Sequence, residues 1–281
     1  MSRICTSAKG LHVALYVLPA WLLCCVACAE TVTITRGAPV GAAVIKLEDA
    51  YGWPITYEAP PLVYEGDLTD VTAQNRKDGK HAGEPGVLQE LIPRTEIFSF
   101  SFDPPPQRRP GTRAPETEAR RAILDMLKSY SESIGGAEVF RLADSDGLFH
   151  IIPTQRKGVS GQWEKIVPLL DTPVAMSPGS RTGREFINEI CRALGAKSGL
   201  PQGVGFYSSS YANWLNRWKT EIASAPEESA RSILSRFAAE QSAPRAVSWS
   251  LGYINNWGWA LNVHIIDINR NDGPSPAPQK D

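Results

Sequence analysis

Two rhythms of apolar and polar residues run along this chain, and each change of rhythm marks an element. Residues 31–35 (TVTIT) are β-branched and alternate, which predicts a strand. Gly37-Ala38-Pro39 then opens a helix, because proline suits the first helical position. Val40, Ala43, Val44, Leu47 and Tyr51 recur at helical spacing and give it one apolar face. Gly52 caps the helix, and residues 53–57 predict a second strand that Pro54 makes start late or lie at an edge. Residues 96–102 (EIFSFSF) put Phe98, Phe100 and Phe102 on one side of a strand.

The same grammar returns further on. Residues 116–134 predict a helix with the stripe Ala119, Ile123, Met126, Leu127, Tyr130 and Ile134, closed by Gly135-Gly136. Strands at 139–142 and 148–152 flank the turn Asp144-Ser145-Asp146-Gly147. That string shares Asp-x-Asp-Gly with calcium loops but lacks their further ligands, so it reads as a turn. Residues 167–176 (VPLLDTPVAM) predict a strand. Thr182 and Glu185 have capping-box spacing before a helix that runs to Leu194. A short strand is expected at 204–207 and a short helix within 208–223. A fourth helix spans 224–241, with Ser224 and Glu227 as its capping box. Strands at 247–254 and 259–267 form a terminal hairpin.

The expected class is α+β: repeated small strand–helix–strand units, short mixed sheets and a C-terminal β-hairpin. Residues 1–29 read as a leader, 30–157 as a first module (30–66 its opening unit), 164–268 as a second, and 269–281 as a disordered tail rich in Gly, Pro and Ser. The charged stretch 67–80 reads as an excursion from the core. The Pro-rich stretch 103–115, with Arg108, Arg109 and Arg113, reads as a linker or a recognition segment.

The leader changes the picture most. Arg3 and Lys9 precede an apolar run ending in Ala27-Cys28-Ala29, a secretory signal pattern with Glu30 as the first mature residue. The run is also long enough for an uncleaved anchor, and Cys28 lies where a lipoprotein would be acylated. The expected location is periplasmic or secreted, with membrane contact only through this segment. Net charge is −1, and removing Arg3 and Lys9 leaves −3, so nothing points to nucleic acid. Four of the five cysteines lie in the leader. Cys191 alone remains, on a helical face with Ile187, Ile190 and Leu194, so no intrachain disulfide is expected.

The opening unit carries a resemblance. TVTITRGAPVGAAVIKLEDAYGWPITYE, with Val44, Leu47, Gly52 and Ile55 at packing positions, resembles the short secretin and TonB N-terminal (STN-like) βαβ domain. The stretch Tyr-Gly-Trp-x-Ile-Thr-Tyr-Glu, residues 51–58, is similar to one found in exported bacterial proteins. The resemblance implies a protein of a bacterial envelope that binds partner proteins or relays signals.

Chemistry is not announced by any motif. There is no Gly-x-Ser-x-Gly, HxH or HExxH, so no catalytic residue, metal ligand or cofactor is assigned. Among His81, His150 and His264, the latter two read as strand histidines with satisfied partners. Residues 179–183 (GSRTG) precede a helix and can be read as an anion site or as a cap. Glu58 and Glu65 are available carboxylates that no spacing singles out. Tyr211, Trp214 and Trp218 form an aromatic stripe, either a carbohydrate-stacking platform or inward packing. The expected function is a non-enzymatic binding or interaction module for an envelope protein or small ligand. The alternative is a cell-wall or glycan-directed enzyme with a dispersed carboxylate site.

Overall fold

A computed structural model describes residues 29–77, 89–104, 115–198, 203–207, 213–241, 246–254 and 258–266. Ala27, Cys28, His81, Arg108, Arg109, Arg113, Tyr211 and the tail 269–281 lie outside the described residues. The strands are β1 (Glu30–Arg36), β2 (Ile55–Glu58), β3 (Leu68–Asp70), β4 (Leu91–Pro93), β5 (Glu96–Phe102), β6 (Phe140–Ser145), β7 (Leu148–Pro153), β8 (Gln155–Lys157), β9 (Trp163–Lys165), β10 (Arg181–Thr182), β11 (Val204–Tyr207), β12 (Lys219–Thr220), β13 (Ala246–Tyr253) and β14 (Trp259–Ile266). The helices are α1 (Pro39–Tyr51), α2 (Thr72–Lys77), α3 (Glu116–Ser133), α4 (Gly183–Ser198), α5 (Asn213–Arg217) and α6 (Ala230–Gln241). This is an α+β fold with several short mixed sheets and a C-terminal hairpin, β13–β14.

The centre is a six-stranded sheet in the order β11-β14-β13-β2-β7-β6. Two antiparallel hairpins, β6–β7 and β13–β14, flank β2, and β2 joins each of them by a parallel pairing. The stretches 30–157 and 164–268 contribute three adjacent strands each, and one buried cluster runs through both. β2 is short but buried at every position, since it has neighbours on both edges and layers on both faces. Pro54 delays its start, and the Pro54 carbonyl instead accepts from Phe149 N–H at 3.0 Å.

Alternation along β2 sends Ile55 and Tyr57 to one face and Thr56 and Glu58 to the other. α1 covers the Ile55/Tyr57 face. Behind it lies the two-stranded β1–β5 ribbon, whose Phe98, Phe100 and Phe102 point inward while Thr31–Ser101 and Thr33–Ser99 bond across the outer face at 2.8 and 2.9 Å. The first strand–helix–strand unit is therefore split between two sheets. α6 covers the Thr56/Glu58 face, and α4 packs beside it with Phe186 stacked on Phe237 at 4.9 Å. The turn between β6 and β7 places Asp146 and Gly147 at φ 52° and 74°, as a tight hairpin turn requires.

Two sequence expectations are corrected. Residues 167–176 form no strand: Pro168 and Pro173 lack amide donors, and the segment makes a 3₁₀ turn (Leu169–Asp171) while still burying Leu170, Val174 and Met176. The short helix expected within 208–223 is present as α5, and the β10–β12 pairing draws the chain out straight after Trp218. The fourth helix starts at Ala230 and not at residue 224. The Ser224 hydroxyl ties down the neighbouring loop, accepting from Met176 N–H at 2.7 Å and donating to the Val174 carbonyl at 2.9 Å.

Candidate functional site

Tyr57 is the hinge of the site. Its ring stands on the α1 face of β2, and α1 makes room for it with Gly41, where a Cβ would lie 2.8 Å from ring carbon Cε1. Openings lie on both sides of this ring, and both are lined by Ala38, Tyr57 and Gly252. Ala38 holds a left-handed backbone (φ 52°) at the start of α1 with no side-chain cap, a conformation that costs an alanine about 1 kcal/mol.

The first opening is an aromatic cavity of about 140 Å³ beyond the carboxyl ends of β2 and β13. Parallel strands leave such a crevice where their connections depart, and ligands commonly use it. Tyr57, Tyr130, Phe140, Trp163 and Tyr253 line it. Lys157, at the end of β8, pairs with Asp67 at 2.7 Å, and its Nζ sits 5.4 Å and 5.5 Å from the ring centres of Tyr64 and Trp163. Those distances are within cation–π range.

The second opening is a groove of about 460 Å³ between α1 and the β13–β14 hairpin. At its base His264 Nε2 meets Glu48 Oε2 at 2.9 Å. Glu48 is buried on α1, whereas His264 keeps about 29% of its side chain exposed. Burial disfavours the charged imidazole, but the Glu48 carboxylate, its hydrogen bond and nearby Asp49 outweigh burial and raise the His264 pKa. Glu48 Oε1 is buried and has no partner among the described residues.

The opposite face of the sheet holds a different polar set. Glu58 is fully buried and ion-pairs with Arg231 of α6; Arg231 Nε also donates to Asp171 at 2.8 Å, and Leu170 N–H reaches Glu58 Oε1 at 3.3 Å. Burial lifts the Glu58 carboxyl above its ordinary range, with Arg231 pulling the other way. Beside this pair His150 lies between Thr56 Oγ1 (2.7 Å) and Ser145 Oγ (2.8 Å), with its ring stacked on Trp249. Burial and the neighbouring Arg231 push its pKa down to about 4. This set locks β2, α6 and the 169–171 turn together.

The residues singled out from sequence fall as follows. Trp214 and Trp218 are partly buried against the core with ring centres 4.3 Å apart; they line neither opening, and Tyr211 lies outside the described residues. Ala29 and Glu30 are exposed at the start of β1. Glu65 is exposed, and Glu58 belongs to the buried pair. Burial pushes the Cys191 thiol up to about 12, which removes the thiolate a nucleophile needs. In the GSRTG stretch, Thr182 N–H donates to Glu185 Oε2 at 2.8 Å and Glu185 N–H donates to Thr182 Oγ1 at 3.3 Å. That reciprocal cap puts the protein's own carboxylate where an anion would bind.

Among the described residues, no group of three His, Cys, Asp or Glu is placed to hold a metal ion, and no helix is long and apolar enough to cross a membrane. Sequence reasoning missed the Glu48–His264 couple. One signal was present: Glu48 continues the Val40–Val44 row, which puts a carboxylate on a buried helix face. Compared with known proteins, the chain matches no family model, no curated protein and no solved structure.

Proposed function

We propose that this protein is a non-enzymatic binding module of the bacterial envelope, exported to the periplasm or beyond, and that its aromatic cavity receives a ring presented by a small ligand or a partner protein. The observation that carries the reading is the cavity at the carboxyl ends of β2 and β13, walled by five aromatic side chains. At about 140 Å³ it has the size of sites that accept one small aromatic molecule. Two of its charges, the partly exposed Lys157 and Asp67, are already matched to each other, an arrangement suited to orienting a guest. The leader pattern supplies the compartment.

Indole tests the reading. Titration of the purified protein, followed by NMR, should give saturable shifts. Trp163→Ala and Tyr253→Ala should each weaken binding by about tenfold, the scale of a lost aromatic contact with its buried area. Unchanged affinity in both folded variants would remove the cavity from the function. Cell fractionation of the same protein tests the compartment, and a cytoplasmic pool alone would overturn it.

A further inference from the structure

The groove on the other side of Tyr57 has a different chemistry from the aromatic cavity. We propose that it is a saccharide-binding site, with His264, Asn262 and Ser250 as a hydroxyl-binding floor and Ala42 and Ile45 of α1 as the wall for a sugar ring's C–H face. Four observations carry this.

The floor is polar and fixed. Ser250 and Asn262 are cross-strand partners in β13–β14, and Asn262 Nδ2 lies 3.5 Å from His264 Nδ1. A hydroxyl, an amide and an imidazole together offer both donors and acceptors, as a sugar's hydroxyls do. Glu48 holds His264 from beneath through Nε2, so the ring's orientation is set before a ligand arrives.

The wall is apolar: Ile45 is exposed on α1 with Ala42 beside it. A groove polar on one side and apolar on the other fits a pyranose, which has hydroxyls at its edge and C–H groups on its face. Its volume of about 460 Å³ lies in the ordinary range for small-ligand sites.

Both signs of charge line the groove, Arg36 on the one hand and Asp49 and Glu48 on the other, so no single charge selects an ionic guest. β13 is paired with β14 along its whole length, and β11 covers the outer edge of β14 over residues 259–262.

Finally, Glu48 Oε1 is buried without a partner among the described residues. Such an oxygen destabilises the fold, and exceptions of this kind gather at functional sites.

The test is calorimetric titration of the intact protein with maltose and with N,N′-diacetylchitobiose. Saturable binding of at least one is expected. His264→Ala and Asn262→Ala should each weaken it about fivefold to tenfold, the scale of a lost hydrogen bond to an uncharged group. Leu124→Ala, on the exposed side of α3, should leave it unchanged. Thermal unfolding verifies each variant, and Ser250→Ala carries the test if His264→Ala does not fold. No saturable binding of either sugar by folded protein, or undiminished binding in the floor variants, would overturn the proposal. So would displacement of the sugar by indole, which would place both in the aromatic cavity; simultaneous binding shows two sites, and failure of one probe leaves the other site standing.

Discussion

His150 and His264 stand on one sheet with two strands between them and face opposite sides of it. Their surroundings drive them in opposite directions. His150 is fully buried between two hydroxyls with Arg231 nearby, and its pKa falls to about 4. His264 is partly exposed against Glu48, and its pKa rises. The Glu58 carboxylate is engaged by Arg231, whose charge also lowers the His150 pKa. Among the described residues the Glu48 carboxylate pairs with His264. Burial alone would lower both, and the Glu48 carboxylate is what reverses the direction at His264.

The comparison breaks most completely at Arg231. Arg231→Ala leaves Glu58 and Asp171 without their shared partner in the interior, and urea unfolding should show a loss of about 3–5 kcal/mol. Arg231→Ala is also expected to relieve His150 of its nearest cation and raise its pKa. The next effect is one of pH. A histidine whose folded pKa lies at about 4, against about 6.5 unfolded, stabilises the fold above 6.5 and loses that contribution as pH falls towards 4. The loss is about 3 kcal/mol between pH 7 and pH 4, read as the difference in pH slope between the wild type and His150→Leu. A smaller step is Thr56→Val, which removes the partner of His150 Nδ1 and should cost about 1–2 kcal/mol in the same assay.

The smallest expected change lies on the groove side. Glu48→Gln should lower the His264 pKa, followed by NMR titration of the imidazole, because its main charged partner is gone. Since the folded pKa of His264 is raised, its stabilisation is complete below about 6.5 and fades as pH rises through the folded value. Glu48→Gln should flatten that alkaline slope while leaving the acid slope from His150 in place. An unchanged His264 titration would break the comparison at its simpler end.

Much of the fold was legible because local patterns report local structure. The stripe in α1, the Phe98–Phe100–Phe102 alternation, the Thr182–Glu185 cap and the Asp146-Gly147 turn are each contained within a few residues. The misreadings are also local in cause. VPLLDTPVAM has the apolarity of a strand but carries two prolines, and its burial is met by packing without a ladder. Ser224 and Glu227 have capping spacing, yet the serine hydroxyl found nearer partners in Val174 and Met176. The site was not legible because its pairs are remote in sequence. Glu48 and His264 are 216 residues apart, and Glu58 and Arg231 are 173 apart, distances at which no spacing rule operates.

The parallel join between β13 and β2 has a consequence in time as well as in space. Ser248 Oγ donates to the Ile55 carbonyl at 2.7 Å across 193 residues of chain. As the chain emerges from the ribosome, β2 can find β7 first but must wait for β13, much further along the chain, before its second edge is covered. Pairings of such long range are slow to close, and until they do the central strand stays open to competing partners. The hairpin β13–β14 is made long after β2, and its arrival covers the second edge of that strand.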